Sequence, residues 1–405
     1  MNPQALQIRW HERLDEVSAA AWDALAVPLA TPFLEWEWLR LLEASGSVRA
    51  EQGWLPHHLT LWRGQTLVAA APLYIKGHSA GEFVFDHAWA DVARRLEIPY
   101  YPKLVGMSPF SPTIGYRFLI AAGEDEAGIT AHMLAAIDQL LERYHLAGCS
   151  FHYVDPDWGR LLGPHGFHPW THQSFAWHNR GYRSFDDYLA IFKSNQRRNI
   201  RRERTAVKRQ GLRLVPLTGE AIPRDLFPHM YRLYAETNAQ FGPWGCKYLT
   251  EDFFTGLHRR FRHRLLLVAA YQDGADALPL GMSFLLYKGD RLYGRYWGAT
   301  VPANALHFNA CYYKPIEWAI ANGIQRFDPG IGGEHKIRRG FKAVPNTSYH
   351  RFADSRLQEV LRLNIGRINQ LEQANIDAIN AERPLAKPPG RHLGGNRNGK
   401  PARRT

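Results

Sequence analysis

"TLVAAAPLYIKG" (66–77) and "LPLGMSFLLYKGD" (278–290) are apolar runs of strand length that close on nearly the same word, LYIKG in one and LLYKG in the other. Each follows another apolar run across a turn-forming segment: "HHLTLW" (57–62) before "RGQ", and "RLLLVAAYQ" (264–272) before "DGADA". Apolar runs of this length, bounded by Gly and Asp, predict paired strands. An aromatic-rich helical segment precedes each pair, "TPFLEWEWLRLLEAS" or "GPWGCKYLTEDFFTGLHRR". A helix and a further strand come after: "EAGITAHMLAAIDQLLERYHLAG" with "CSFHYV", and "FNACYYKPIEWAIANG" with "IQRFDPG". The same order occurs twice, so each half is expected to be a mixed α/β domain of α+β type with its own sheet. The predicted organisation is a first domain at 1–180, a second at 181–353, a closing helix at 354–383 and a basic tail at 384–405.

The second half opens on "FKSNQRRNIRRERTAVKRQGL" (192–212), where eight cations between Lys193 and Arg209 face one acid, Glu203. Phe185, Leu189, Phe192, Gln196, Ile200, Glu203 and Val207 recur at three- and four-residue steps, which predicts one amphipathic helix over 184–210. Gly211 suits its C-cap, and cations near that end suit the helix dipole. After Phe352, Ser355 and Gln358 stand at capping-box spacing, and Leu357, Leu361, Ile365, Ile368, Leu371 and Ile379 repeat along one predicted helical face.

These local features explain a formal net charge of +12. The basic helix and the six cations of the acid-free tail from Pro384 outweigh that total, so the body of the chain is near neutral. The tail is rich in Pro, Gly and Asn, and such a segment cannot bury enough to order itself; disorder is expected. Three dispersed cysteines, Cys149, Cys246 and Cys311, exclude a disulfide framework and fit a reducing, cytoplasmic setting. The N-terminus lacks a signal-peptide core, and no apolar run reaches the length of a transmembrane span.

The densest chemistry is "FDPGIGGEHKIRRGFKAVPNTSYH" (327–350). Asp328 closes a short strand, three glycines follow, and Glu334, His335, Lys336, Arg338 and Arg339 come at once. A glycine loop beside cations suits a phosphate or carboxylate, although neither the Walker A ending nor the dinucleotide spacing is present. The plain alternative is a solvated glycine turn. "RYWGATVPANALHFNACYYKPIEWAI" (295–320) adds Trp297, His307, Tyr312 and Tyr313, where tyrosine can donate a proton or bind a carbonyl; a buried aromatic helix would read the same way. In the first half, the long connection 83–112 carries Asp86, Trp89, Tyr101 and Lys103, which could wall a polar-ligand groove or simply pack together. No GxSxG elbow or HExxH spacing occurs, so the sequence predicts no metal site.

"VFDHAWAD", "YYPKL", "SNQRRNIRRE", "RYWGA", "HFNACYYKPIEWAI" and "FDPGIGGEHKIRRGF" together resemble the FemAB-like peptidoglycan biosynthesis/recognition proteins, within the GNAT acyltransferase superfamily, over about residues 5 to 370. The resemblance implies tandem GNAT-like domains and an N-acyl- or aminoacyl-transferase acting on an amine, with acyl-CoA or aminoacyl-tRNA as donor and no tightly bound cofactor. Its acceptor would be a peptidoglycan-precursor-like or other anionic, nucleotide-linked substrate. The usual acyl-CoA loop signature is not evident, and the helices at 221–241 and 247–262 are too short for the coiled-coil arm of familiar tRNA-using relatives. On this resemblance Glu334, His335 or Asp328 would take the amine's proton and Tyr313 would protonate the leaving group. Lys336 and Arg339 would hold donor phosphates, Arg197 and Arg201 of the basic helix would suit an anionic donor or a nucleotide-linked acceptor, and Trp297, Tyr312, Asp86, Trp89, Tyr101 and Lys103 would add substrate or donor contacts. A different class of function fits the same residues: a non-catalytic module that binds RNA or a cell-wall polymer on this scaffold.

Overall fold

The computed structural model describes residues 5–242, 245–274 and 278–386 of the chain. The first half contributes β1 (Leu6–His11), β2 (Trp54–Pro56), β3 (His58–Arg63), β4 (Thr66–Ala71), β5 (Leu73–Lys76), β6 (Lys103–Gly106), β7 (Leu119–Ile120), β8 (Gly148–Phe151) and β9 (His168–His178). The second contributes β10 (Leu212–Thr218), β11 (Leu265–Gln272), β12 (Gly281–Lys288), β13 (Arg291–Ala299), β14 (Arg326–Asp328) and β15 (Lys342–Phe352).

The expected repeat is visible in the pairing. β1, β3 and β4 form an antiparallel meander, as do β10, β11 and β12. Each half then makes an antiparallel step, β5 to β6 or β12 to β13. A helical crossover leads to a parallel step in both, β6 to β8 through Glu126–Tyr144 and β13 to β14 through Lys314–Ala321. The fold is a tandem of GNAT-like units with mixed sheets.

Two details depart from the sequence-based expectation. The run 66–77 is not one strand, because Pro72 has no N–H for the ladder; β4 pairs with β3 and β7, while β5 pairs with β2 and β6. Nor does each half keep a sheet to itself. The last strands are exchanged: β9 pairs with β14 of the second half, β15 pairs with β8 of the first, and β9 and β15 pair with each other. Eleven strands therefore join in one sheet, and the expected boundary near residue 180 falls just past a strand that belongs to both halves.

Helices depart in similar ways. The stretch predicted as one helix over 184–210 is two, Phe185–Ala190 and Ser194–Arg209. The break is fixed from outside: the Lys193 N–H donates to Pro384 O at 3.0 Å, the Ala386 N–H to Ile191 O at 2.8 Å, and Leu385 bridges Phe192. Residues 384–386 are thus a short strap, not part of a disordered tail; the rest of the predicted tail, 387–405, lies outside the described residues. The closing helix Ser355–Ala381 is capped by Asp354, whose side chain accepts from the Arg356 N–H; Gln358 Oε1 instead accepts from Phe352 N. It lies across β9 and β15, tied by Asn369 to Thr171 and by Asn380 to Ala343. Leu357, Leu361, Ile365 and Ile379 are buried as expected, but Leu371 is 55% exposed. The connection 83–112, read as irregular, contains the helix His87–Arg95 and β6. Among the described residues no helix is long and apolar enough to cross a membrane.

Candidate functional site

The second half opens its sheet at β13. The β12–β13 register shifts between Phe284 and Leu285: Tyr296 faces Phe284 and Gly294 faces Leu285, so Arg295 is an extra, bulged residue. β13 also loses its other neighbour there, since pairing with β14 ends at Tyr293 and Asp328 while β13 runs on to Ala299. The bulge turns the Arg295 side chain inward, where it is 2% exposed, 3.6 Å from Asp328 Oδ1 and 4.7 Å over the Phe33 ring. Its Nε and Nη2 make no hydrogen bond among the described residues. Asp328 accepts from Thr113 of the first half at 2.5 Å and from the Gly330 N–H at 2.9 Å, so it stands on the seam between halves.

The glycine loop then turns through the short 3-10 helix Glu334–Arg339. Gly330, Gly332 and Gly333 all have positive φ, the backbone that glycine adopts without strain. Lys336 folds back to donate to Gly330 O at 2.7 Å and Ile331 O at 2.9 Å. Burial pushes its ammonium down to about 8, against the pull of Asp328. Arg339 pairs with Glu203 of the basic helix at 3.0 Å, donates to His335 O, and lies 3.4 Å over Phe308. Tyr313 donates to the same Glu203 carboxylate. Burial raises the Tyr313 phenol far above its ordinary value.

Next to them stand His335, His307 and Trp297, all partly exposed, and Tyr312, which is buried. His335 Nε2 and Tyr312 Oη are 3.1 Å apart, and the His307 ring packs on Trp297, Tyr312 and His335. Burial, reinforced by Arg339 and Lys336, pushes His335 down to about 4; burial, with His335, Arg339 and Lys336 adding to it, does the same to His307. Both imidazoles are neutral at physiological pH. A neutral, half-buried imidazole whose one nitrogen is held by a phenol can accept a proton at the other.

The structure therefore brings together Asp328, His335, Lys336, Arg339, Trp297, Tyr312 and Tyr313, but in roles that differ from those expected. Lys336 and Arg339 bind the chain's own carbonyls and Glu203 and are turned away from any donor phosphate. Tyr313 is fully buried on Glu203. Glu334 is exposed and makes none of the contacts of the cluster. Arg197 curls back onto the carbonyls of Ala190 and Phe192, while Arg201 is exposed.

In the first half, Asp86, Tyr101 and Lys103 also converge, around Ser79. Asp86 and Lys103 are buried and paired. Trp89 packs edge-on against Trp170 and belongs to the core.

Glu203, Arg295 and Thr113 were not among the candidate site residues read from the sequence. Glu203 had a signal: it is the only acid of the basic helix and lies on the helix's apolar stripe, where an acid needs a buried cation. Arg295 and Thr113 had none, since a bulge and a contact between halves are tertiary facts.

The profile of the FemAB-like family, described as peptidoglycan biosynthesis/recognition, matches residues 13–387. No curated protein sequence matches the chain. Among solved structures, FemX is similar at 12% identity and a TM-score of 0.51, covering 89% of this chain and 100% of FemX. A C-terminal domain assigned to a lysylphosphatidylglycerol synthetase of Agrobacterium fabrum gives 9% identity and a TM-score of 0.50, covering 85% of this chain and 94% of that one. A tandem GNAT protein from the clavulanic acid pathway gives 13% identity and a TM-score of 0.43, covering 86% and 99%. At such identities the likeness concerns fold.

Proposed function

The chain belongs to the FemAB-like family, and from that premise we propose that it transfers an activated acyl or aminoacyl group onto an amine. The observation that carries this is the neutral His335–Tyr312 pair, which the His307 ring joins to Trp297 on the stretch of β13 that β14 leaves unpaired. In the proposed reaction the amine nitrogen attacks the donor carbonyl and a C–N bond forms. The bond from that carbon to the leaving sulfur or oxygen breaks. His335 Nδ1 accepts the amine proton, with Nε2–H donating to Tyr312, and returns it to the leaving group, so the protons balance. Positive charge for the oxyanion would come from Arg295, whose Nε and Nη2 make no hydrogen bond among the described residues.

The donor, acyl-CoA or aminoacyl-tRNA, is anionic in either case. With Lys336 and Arg339 buried, its phosphates are better served by a cleft of about 400 Å³ beside the basic helix, where Lys208 and Arg213 line the wall with Arg204 and Lys314, the latter two paired with Glu317. The test is transfer by purified protein from each donor to a panel of amines. His335→Ala should cut kcat/KM roughly a hundredfold or more at unchanged stability. Unchanged turnover in that variant would overturn the assignment.

A second reading has its own observation. Lys193, Arg198, Arg201, Arg202, Lys208 and Arg209 project outward along one helix, as a polyanion-binding surface would. No turnover with any donor, together with RNA binding that weakens steeply with salt in protein truncated after Ala386, would favour that binding module.

A further inference from the structure

On the far side of the glycine loop, a pocket of about 500 Å³ opens between the first half, β9, β15 and the closing helix. Its lip carries Phe85, Leu371 and Ile331, which are 67%, 55% and 40% exposed. Large apolar side chains left in water around one concavity mark a surface that something covers. Leu371 is informative, because its place in the heptad-like run would put it in the core, and instead it stands at this rim.

The floor is polar and linked by hydrogen bonds. His172 Nε2 meets Ser348 Oγ at 2.6 Å, Ser348 meets His350 at 2.7 Å, and His350 meets Ser150 at 2.9 Å. Burial pushes His172 down to about 3, so this floor bears no charge at neutral pH. Asn346, 4% exposed, donates to Ser174 at 3.2 Å, but its Oδ1 is buried with no hydrogen-bond partner among the described residues. A buried acceptor left unsatisfied calls for a donor from the ligand. The one formally charged lining residue is Glu372, which makes no ion pair or hydrogen bond among the described residues. In a chain of net charge +12, this pocket has a carboxylate and, among the described residues, no cation.

We propose that this pocket binds an amphipathic primary amine: the ammonium faces Glu372 and the Asn346 carbonyl oxygen, and the apolar body lies across Phe85, Ile331 and Leu371. Trp170 and Tyr153 are also in the lining, and aromatic rings favour a cation. An anionic ligand would meet Glu372 and no compensating charge, so the pocket is unsuited to the donor. This inference rests on the transferase reading for its meaning, since the amine is then the acceptor class, held as the ammonium and able to attack only after losing one proton to water. Ile331 lines the pocket while its carbonyl holds Lys336, which sets the bound amine against the loop that carries Asp328 and His335.

The test uses hexylamine, hexanol and hexanoate as probes, followed by calorimetry and by Trp fluorescence. Hexylamine should bind saturably, and roughly tenfold or more tighter than hexanoate, with hexanol between. Glu372→Gln should erase the preference for the amine, and Leu371→Ser should weaken all three probes, both at unchanged Tm because the side chains are not in the core. Equal binding of amine and carboxylate, indifference to Glu372→Gln, or no saturable binding would overturn the proposal. Binding is read without turnover, so a protein that holds the amine but transfers nothing would sink the transferase reading and leave the pocket standing.

Discussion

Lys103 lies 2.9 Å from Glu82 and 2.5 Å from Asp86, and Glu82 also meets His152 at 3.1 Å, all buried. Tyr100 adds a hydrogen bond to Asp86 at 2.9 Å. From sequence, Asp86, Tyr101 and Lys103 looked like the wall of a ligand groove; their depth makes them a structural ion cluster between β6 and the preceding loop. Burial pushes the Glu82 carboxyl up, but Lys103 above all, with His152, outweighs it and holds the group down at about 2. The folded state thus binds fewer protons than the unfolded chain between about pH 4.3 and 2. That stability is present above the unfolded value and is lost as pH falls toward 2. Lys103→Met removes the cation and leaves two buried carboxylates, so at least one must take up a proton on folding. The variant should lose about 3–5 kcal/mol at neutral pH. Its stability should also fall as pH rises above about 4.3, the reverse of the native slope. Urea midpoints of both proteins from pH 3 to 8 provide the measurement; parallel slopes would mean that the cluster is not coupled as described.

At the scale of elements, strand and helix positions were largely legible, because burial imposes a period that the sequence must carry. β11 is buried over Leu265–Ala270, and the sequence reads as a continuous apolar run. The breaks were less legible, since what ends an element often comes from elsewhere in the chain. The gap between Phe185–Ala190 and Ser194–Arg209 is set by the 384–386 strap, which no local pattern around residue 192 announces. The candidate site divides in the same way. Residue types were readable at 295–313 and 327–339, but the direction of each side chain was not: Lys336 and Arg339 face inward because their partners, loop carbonyls and Glu203, are fixed by tertiary packing. The strap yields a length-resolved prediction. Truncation after Ala386 should leave Tm unchanged, whereas truncation after Arg383 removes two backbone hydrogen bonds and the partly buried Leu385. The second cut should cost about 1–3 kcal/mol and fray the start of the basic helix. Thermal melts of the two truncated proteins decide it, and identical melts would show that the strap adds nothing.

At the scale of the whole molecule, the exchange of β9 and β15 determines how the halves depend on each other. Phe175 and Trp177 of β9 are 2% and 1% exposed, and they lie in a cluster otherwise built from second-half residues such as Phe327, Phe341 and Tyr313. A fragment of residues 1–180 would expose that strand and leave β8 without its partner β15. A fragment beginning at 181 would leave β14 and β15 with no β9 between them, and the closing helix with one of its two strands missing. Unpaired edges of this kind are costly and aggregation-prone. The intact chain should therefore unfold in one cooperative transition, with near-UV circular dichroism and Trp fluorescence coinciding. Neither fragment should fold by itself, and co-expressing the two should restore soluble protein by letting β9 and β15 find each other. A fragment 1–180 that gave dispersed amide resonances and a cooperative melt by itself would show that the halves are independent and the exchange is incidental. The candidate site predicts the same dependence, because Asp328 is held by Thr113 across the seam and Arg295 stacks on Phe33 of the other half. Amine binding and any transfer activity should accordingly return only with the reassembled pair.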